Sequence, residues 1–308
     1  MNTVNKYVII IGGPTAAGKT DLAIRIATHF DSEIISADSR QVYDEMVIGT
    51  AKPDIDQLIK VKHHFISCRS IHEKFDAGTF EKESLILLNE YFKTKNLIVV
   101  TGGTGLYINS LLNGLDIFPE VDENIIQSIE FQYKNFGIEA LQVELKTLDY
   151  EYFAKVDLNN SHRLIRALSV IKSSGKPFSY FLNREKEIRQ FKSINLLLNV
   201  PRTVLYERIN ERVDKMIDNG LVDEAQKLYK FKNLKALQTV GYKELFDYFD
   251  GLITLDEAIE LIKRNSRHYA KRQFTWFNNQ GNWLDIQDLK FENIIELINK
   301  KISETEND

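Results

Sequence analysis

The 308-residue sequence predicts an α/β protein: a parallel sheet flanked by helices, with a small all-helical domain inserted into it. Three observations carry this expectation. Short apolar segments at 7–11, 33–37 and 97–100 each run into a polar or glycine-rich loop, with helical patterns between them. The stretch 122–190 loses that alternation and reads as short helices rich in charge and aromatic rings. A strand-like segment then returns at Ile194–Asn199. The expected division is a core of 1–118 and 191–308 around an insert of 119–190.

The first strand, Tyr7–Ile11, opens into Gly12-Gly13-Pro14-Thr15-Ala16-Ala17-Gly18-Lys19-Thr20. From Gly13 to Thr20 this fits G-x-x-x-x-G-K-[ST], a phosphate loop (P-loop) of the NTPase-like type. The glycines let the chain turn so that successive N–H groups converge on an anion. Lys19 adds a mobile charge. Thr20 offers a hydroxyl to Mg²⁺ and opens a helix whose positive end faces the same anion. The context is the required one, because Leu22, Ala23, Ile26, Ala27 and Phe30 follow at helical spacing.

The next strand, 33–37, delivers Asp38-Ser39-Arg40-Gln41 at its carboxyl end, the edge of a parallel sheet where ligands sit. Asp38 has two chemical roles open to it, ordering Mg²⁺ or accepting a proton from an attacking amine or hydroxyl. A plain turn or cap aspartate is the third reading. Residues 42–53 read as a ligand-facing loop. His63 and His64, with His72 and Glu73 nearby, invite a zinc reading, but the H-E-x-x-H spacing is absent and no cysteine is close. A substrate-contacting or supporting role fits them better. A helix at about 80–92 leads to a third strand, 97–100, which ends in Thr101-Gly102-Gly103-Thr104-Gly105. Three glycines there bring backbone close to a ligand, and Thr104 can hydrogen-bond into the same space.

Within the insert, a helix from His162 to Ser173 carries Arg163 and Arg166 on one face, with Leu164 and Leu168 turned elsewhere. That face suits either phosphate or plain solvent. Arg202–Ile217 is a strong helix by its Leu205, Ile209, Val213 and Met216, and Arg208 and Arg212 lie four apart on another side. Such an arginine pair can neutralise charge leaving on a pyrophosphate. Thr254 and Glu257 form a capping box for a last long helix. Along it Lys263, Arg267 and Lys271 recur at i+4 beside Arg264, His268 and Arg272, and no acidic residue occurs from Leu261 to Gln280. Trp276 and Phe277 follow. The pattern suits a phosphate backbone with added stacking. The tail from Phe291 is amphipathic and ends in polar residues.

Composition limits the function classes. An apolar content of 43% argues against general disorder. The chain lacks an apolar run near the roughly 20 residues that span a bilayer, and its start lacks an export signal, so a cytoplasmic protein is expected. Cys68, the single cysteine, cannot form an internal disulfide or thiolate cluster and reads as a small buried or half-buried residue. A net charge of −4 argues against a protein that merely coats nucleic acid, though not against a local basic groove.

Taken together, the segments resemble the bacterial-type tRNA dimethylallyltransferase family, also called isopentenyl-diphosphate:tRNA isopentenyltransferases. The matching motifs are GGPTAAGKT (Gly12–Thr20), ADSRQVY (Ala37–Tyr43), IGTAKP (Ile48–Pro53), TGGTGLY (Thr101–Tyr107), RLIRALSV (Arg163–Val170), VGYKE (Val240–Glu244) and RHYAKRQFTWF (Arg267–Phe277). They run in family order over nearly the whole chain. Ala17, Ser266 and Asn278 stand where serine, threonine and arginine are common. None of these changes removes a group the chemistry needs.

The resemblance implies prenyl transfer. Dimethylallyl diphosphate rather than ATP would occupy the loop Gly13-Pro14-Thr15-Ala16-Ala17-Gly18-Lys19-Thr20. The acceptor would be the exocyclic amine of the adenosine 3′ of the anticodon in the tRNA anticodon stem-loop. Asp38 would receive the amine proton and, with Thr20, serve the Mg²⁺ site. Lys19 and an arginine, Arg208 first, would stabilise the leaving charge, and Thr104 would meet the nucleotide. Ser39, Arg40 and Gln41 would hold the adenosine. His162, Arg163, Leu164, Ile165 and Arg166 would contact RNA, as would Lys263, Arg267, Lys271 and Arg272. The enzyme would work as a monomer, away from membranes. Two rivals stand beside this: a P-loop kinase acting on a nucleotide or small metabolite, and an RNA-binding protein whose loop only senses a nucleotide.

Overall fold

The computed structural model describes residues 5–182 and 188–306. Part of the expected insert, 183–187, and the polar end of the chain, 307–308, lie outside these. The described chain forms two compact units, one made of the residues up to Asn113 together with Arg189 onward, the other of Gly114–Ile188. The unit boundaries thus fall at 113/114 and 188/189, against the expected 118/119 and 190/191.

The first unit begins with β1 (Tyr7–Gly12), buried along its whole length. Gly18, left-handed at φ 94°, ends the loop and starts α1 (Lys19–His29), whose Leu22, Ala23, Ile26 and Ala27 turn inward. There follow β2 (Ile34–Ser36), α2 (Ile55–Lys60), β3 (His63–His64), α3 (Ala77–Tyr91), β4 (Leu97–Thr101) and α4 (Gly105–Asn113). Asp76 caps α3 by accepting the Thr79 N–H, and Phe80, Ser84 and Leu88 recur every fourth residue on its buried side.

The second unit is helical: α5 (Glu123–Leu148), α6 (Tyr150–Phe153) and α7 (Ser161–Ser174). α5 is longer than the short helices expected there, but Gly137, at φ 77° and ψ −177°, breaks it into two pieces. Asn160 caps α7 on the Arg163 N–H, and Gly175 ends it in a left-handed turn. Leu164, Ala167, Leu168 and Ile171 from α7 form this unit's own core with Ile129, Leu141, Leu145, Phe178 and Phe181.

The chain then returns to the first unit as β5 (Lys192–Leu197), α8 (Arg202–Asp218), α9 (Leu221–Leu228), α10 (Lys243–Phe249), α11 (Leu255–Asn279), β6 (Leu284–Asp285) and α12 (Phe291–Glu306). The strands join one six-stranded sheet in the order β3-β2-β4-β1-β5-β6. Every pairing is parallel, with Ile9 opposite Val99 on one side and Ile194 on the other. The carboxyl ends of β1, β2 and β4 therefore point the same way, and the three loops after them meet on one edge. Behind the sheet, α12 sets Ile294, Ile295 and Ile298 against the α1 core. Among the described residues no helix is long and apolar enough to cross a membrane.

Candidate active site

The P-loop is held in shape by its glycines. Gly13 sits at φ 145°, and a Cβ there would lie 2.6 Å from the Leu198 carbonyl oxygen. Ala16 is also left-handed, at φ 63°, a conformation that costs an L-residue about 1–2 kcal/mol. Ala17 packs behind the loop against Val200, Leu205, Ile209 and Ala270. Lys19 folds over the loop and donates from Nζ to the Pro14 carbonyl at 2.7 Å. Burial lowers its pKa to about 8; the Asp38 charge opposes that shift and Arg212 adds to it.

Asp38 sits in a turn and also lines a cavity. Its Oδ1 accepts the N–H of Arg40 at 2.8 Å and of Gln41 at 3.3 Å, the geometry of a turn aspartate. Neither bond uses Oδ2. Asp38 also lines a cavity of about 650 Å³ whose wall includes Thr15, Lys19, Thr20, Arg208 and Arg212. A second space of about 200 Å³ shares Thr15, Asp38, Arg212 and Tyr269 with it and is walled by Ile209, Val213, Met216 and Ile262. Thr104 meets this loop directly, its Oγ1 accepting the Ser39 N–H at 3.1 Å. Arg40 reaches instead to the Ala236 carbonyl at 3.0 Å. The Gln41 side chain is used within the protein: its Oε1 accepts from Ser36, and its Nε2 donates to the carbonyls of Thr50 and Ala51. Gln41 shapes the cavity wall by holding the 47–53 loop.

Both arginines of α8 reach the large cavity, but they differ. Arg208 is exposed at its rim. Arg212 is half-buried, donates to the Thr15 hydroxyl at 3.0 Å, and lies within reach of the Asp38 charge, which opposes the lowering of its pKa by burial. Two further residues of α11 close the site; the sequence shows them only within the Arg267–Phe277 motif, with no role of their own. Tyr269 hydrogen-bonds the Thr104 hydroxyl, and burial pushes its phenol up to about 12. Gln273 is buried beside it. Their signal in the sequence is that motif and their spacing of four residues on the sheltered side of the basic helix.

The basic helix is narrower in function than its sequence. Lys263 is not free for RNA: its ammonium pairs with Asp214 from α8 at 2.8 Å and with Glu260 at 3.1 Å. The gap in acidic residues from 261 to 280 is filled across helices. Arg267 is half-buried and donates to Asn210 Oδ1 at 2.6 Å. Lys271 and Arg272 are exposed. The aromatic pair is also reassigned. Phe277 is 1% exposed, and its ring fills the space a Cβ at Gly12 would take. Trp276 lies over Gly105 in the same manner. Phe274 is the exposed ring of this segment.

In the second unit, His162, Arg163 and Arg166 are exposed on α7 and available to a ligand. Leu164 is fully buried in that unit's core and cannot touch RNA, and Ile165 is half-buried against the same core. The helical period that places Arg163 and Arg166 outward turns Leu164 inward.

The histidine pair forms β3, and His63 also lines the large cavity. His64 Nε2 hydrogen-bonds Glu33 at 2.6 Å, and His63 Nδ1 contacts the Val61 carbonyl at 2.8 Å. Cys68 is exposed rather than half-buried. Among the described residues no group of three His, Cys, Asp or Glu side chains could hold a metal unaided. Thr20 and Asp38, both oxygen-bearing, line the large cavity together, and oxygen donors of this kind are what a magnesium ion takes alongside water.

A P-loop opening from the central part of a parallel sheet, with an aspartate and arginines across one cavity, puts the protein in the P-loop NTPase-like class. Within that class, residues 41–280 match the IPP transferase family model, and the chain belongs to that family. It is 49% identical to the tRNA dimethylallyltransferase of Christiangramia forsetii over 97% of this chain and 100% of that one. It is 48% identical to that of Flavobacterium johnsoniae over 91% and 93%. Two solved structures share the architecture. The tRNA isopentenylpyrophosphate transferase of Bacillus halodurans superposes with a TM-score of 0.73 at 37% identity, covering 98% of this chain and 99% of its own. A eukaryotic dimethylallyltransferase acting on tRNA gives 0.81 at 25% identity, covering 97% and 80%.

Proposed function

We propose that this protein transfers the dimethylallyl group of dimethylallyl diphosphate to the N6 amine of the adenosine immediately 3′ of a tRNA anticodon, releasing pyrophosphate. The observation that carries the reading is the junction of the two cavities, where a P-loop, Asp38 and Arg212 come together. Relatives over nearly the whole chain are dimethylallyltransferases, and the kinase reading is dropped.

In this reading the loop N–H groups and Lys19 bind the diphosphate. As the bond between the allylic carbon and oxygen breaks, charge grows on the leaving oxygen, and Lys19, Arg212 and the rim charge of Arg208 stabilise it. The adenine nitrogen forms the new bond to carbon and gives its extra proton to the free oxygen of Asp38. Ser39, Arg40, Thr104 and Tyr269 line the approach of the nucleotide, which must leave its stack to enter. Thr20 and Asp38 would hold Mg²⁺, which when bound neutralises diphosphate charge. Lys271 and Arg272 on α11, and His162, Arg163 and Arg166 on α7, serve the anticodon stem-loop. The protein acts as a monomer in the cytoplasm.

The test incubates the protein with unmodified tRNA, Mg²⁺ and labelled dimethylallyl diphosphate. Label in tRNA with pyrophosphate released in equal amount is the expected result. Consumption of ATP without label in RNA would overturn it.

A further inference from the structure

Gln273 lies on α11 one turn after Tyr269 and is 6% exposed. Its Oε1 accepts the Thr15 N–H at 2.9 Å, and its Nε2 donates to the Gly103 carbonyl at 2.9 Å. Only one orientation of the amide satisfies both partners, because an N–H can only donate and a carbonyl can only accept. The partners belong to different loops, the P-loop after β1 and the 102–105 loop after β4. The fit is tight: a Cβ at Gly103 would come within 2.1 Å of Gln273 Nε2. Thr15 is thus held twice, through its backbone by α11 and through its hydroxyl by Arg212 of α8.

We propose that Gln273 is a positioning residue for prenyl transfer, a single amide that sets the spacing between the diphosphate loop and the loop presenting Thr104. Both of its polar ends are bonded to protein, so it acts through Thr15 and Gly103. Without it the Thr15 N–H loses its acceptor, and the P-loop mouth is free to shift against the 102–105 loop. The diphosphate side of the site is affected first. The kinetic part of this proposal rests on the prenyl-transfer reading, while its binding part does not.

The test uses two variants and inorganic pyrophosphate with Mg²⁺, followed by calorimetry. Gln273→Met keeps the length of the side chain and removes both hydrogen bonds. Its expected effect is a rise of roughly tenfold in pyrophosphate Kd and in KM for dimethylallyl diphosphate, with KM for tRNA changed much less. Gln273→Glu separates hydrogen bonding from shape. As the neutral acid it reproduces both bonds; as the anion it lacks the donor for Gly103 and repels diphosphate. The ratio of its Kd to the wild-type Kd is expected to fall toward one as pH is lowered. Lys19 and Asp21 of α1, Asp38 after β2, Lys52, His63 of β3, Arg208, Glu211, Arg212 and Lys215 of α8 and Tyr269 of α11 line the same space in both proteins, so their contribution is common to both and drops out of the ratio. Wild-type pyrophosphate affinity in Gln273→Met, an equal rise in both KM values, or a ratio for Gln273→Glu that ignores pH would each overturn the proposal. If the binding results hold while wild-type protein makes no prenylated tRNA, the positioning role stands and the prenyl-transfer reading falls.

Discussion

Arg212 donates to the Thr15 hydroxyl at 3.0 Å, so a guanidinium from α8 is anchored on the P-loop itself. Arg208, one turn earlier, stays exposed at the cavity rim. Arg212→Ala is expected to lower kcat by about 10²–10³, the usual cost of removing a group aimed at developing charge. Arg208→Ala should cost at least tenfold less. Steady-state kinetics on both variants ranks them, and an equal or reversed ranking would return the main role to Arg208.

Lys19 should give anion binding at the P-loop a pH dependence with a definite sign. Its pKa in the free protein is lowered to about 8, mainly because burial disfavours the charged form. Only the charged form attracts diphosphate. Affinity should hold below pH 8 and decline as pH rises through 8 and above. Lys19→Arg keeps the charge in this range and should remove that inflection. Pyrophosphate titrations of the two proteins from pH 6.5 to 9.5, a window of about 1.5 units on each side, show whether the inflection belongs to Lys19.

The cations of α11 divide into Lys263 and Arg267, bonded within the protein, and the exposed Lys271 and Arg272. Lys263→Ala removes a partner of Asp214 and should reduce thermal stability while leaving tRNA affinity nearly unchanged. A Lys271→Ala, Arg272→Ala double variant should weaken tRNA binding and reduce the slope of log K against log salt by roughly one to two units. Filter binding across a salt series distinguishes them.

On α7, Leu164→Ala opens a hole in the core of the helical unit and should destabilise it by about 2–5 kcal/mol. Arg163→Ala and Arg166→Ala touch exposed residues and should leave the unfolding midpoint nearly unmoved while lowering tRNA affinity. Urea unfolding followed by tRNA binding checks both halves.

Much of this arrangement was legible in the sequence because it is local. The loop Gly13–Thr20 carries its own geometry in its glycines, and strand ends such as Asp38 and Thr104 are fixed by the topology of a parallel sheet. What was not legible depends on pairs far apart in the chain. Lys263 has only Glu260 near it along its helix, yet Asp214 lies 49 positions earlier and meets it across two packed helices. Phe277 reads as a stacking platform until β1 places Gly12 beneath its ring. Gln273 looks like a polar surface residue between Arg272 and Phe274, and only the approach of α11 to two glycine loops buries it. Leu164 is the opposite case: the family motif groups it with RNA contacts, but its helical phase, legible in the sequence, already turns it away from Arg163 and Arg166, and it is buried.

In the proposed reaction an amine attacks carbon and gives its proton to Asp38, while the P-loop holds the leaving group. Single-turnover transfer from labelled dimethylallyl diphosphate to an unmodified anticodon stem-loop by Asp38→Asn tests it most directly, with pyrophosphate affinity measured alongside. Asparagine keeps the Oδ1 acceptor for the Arg40 and Gln41 N–H groups and removes the base. The expected transfer rate is lower by about 10²–10⁴ with pyrophosphate still bound. Transfer at the wild-type rate would contradict it.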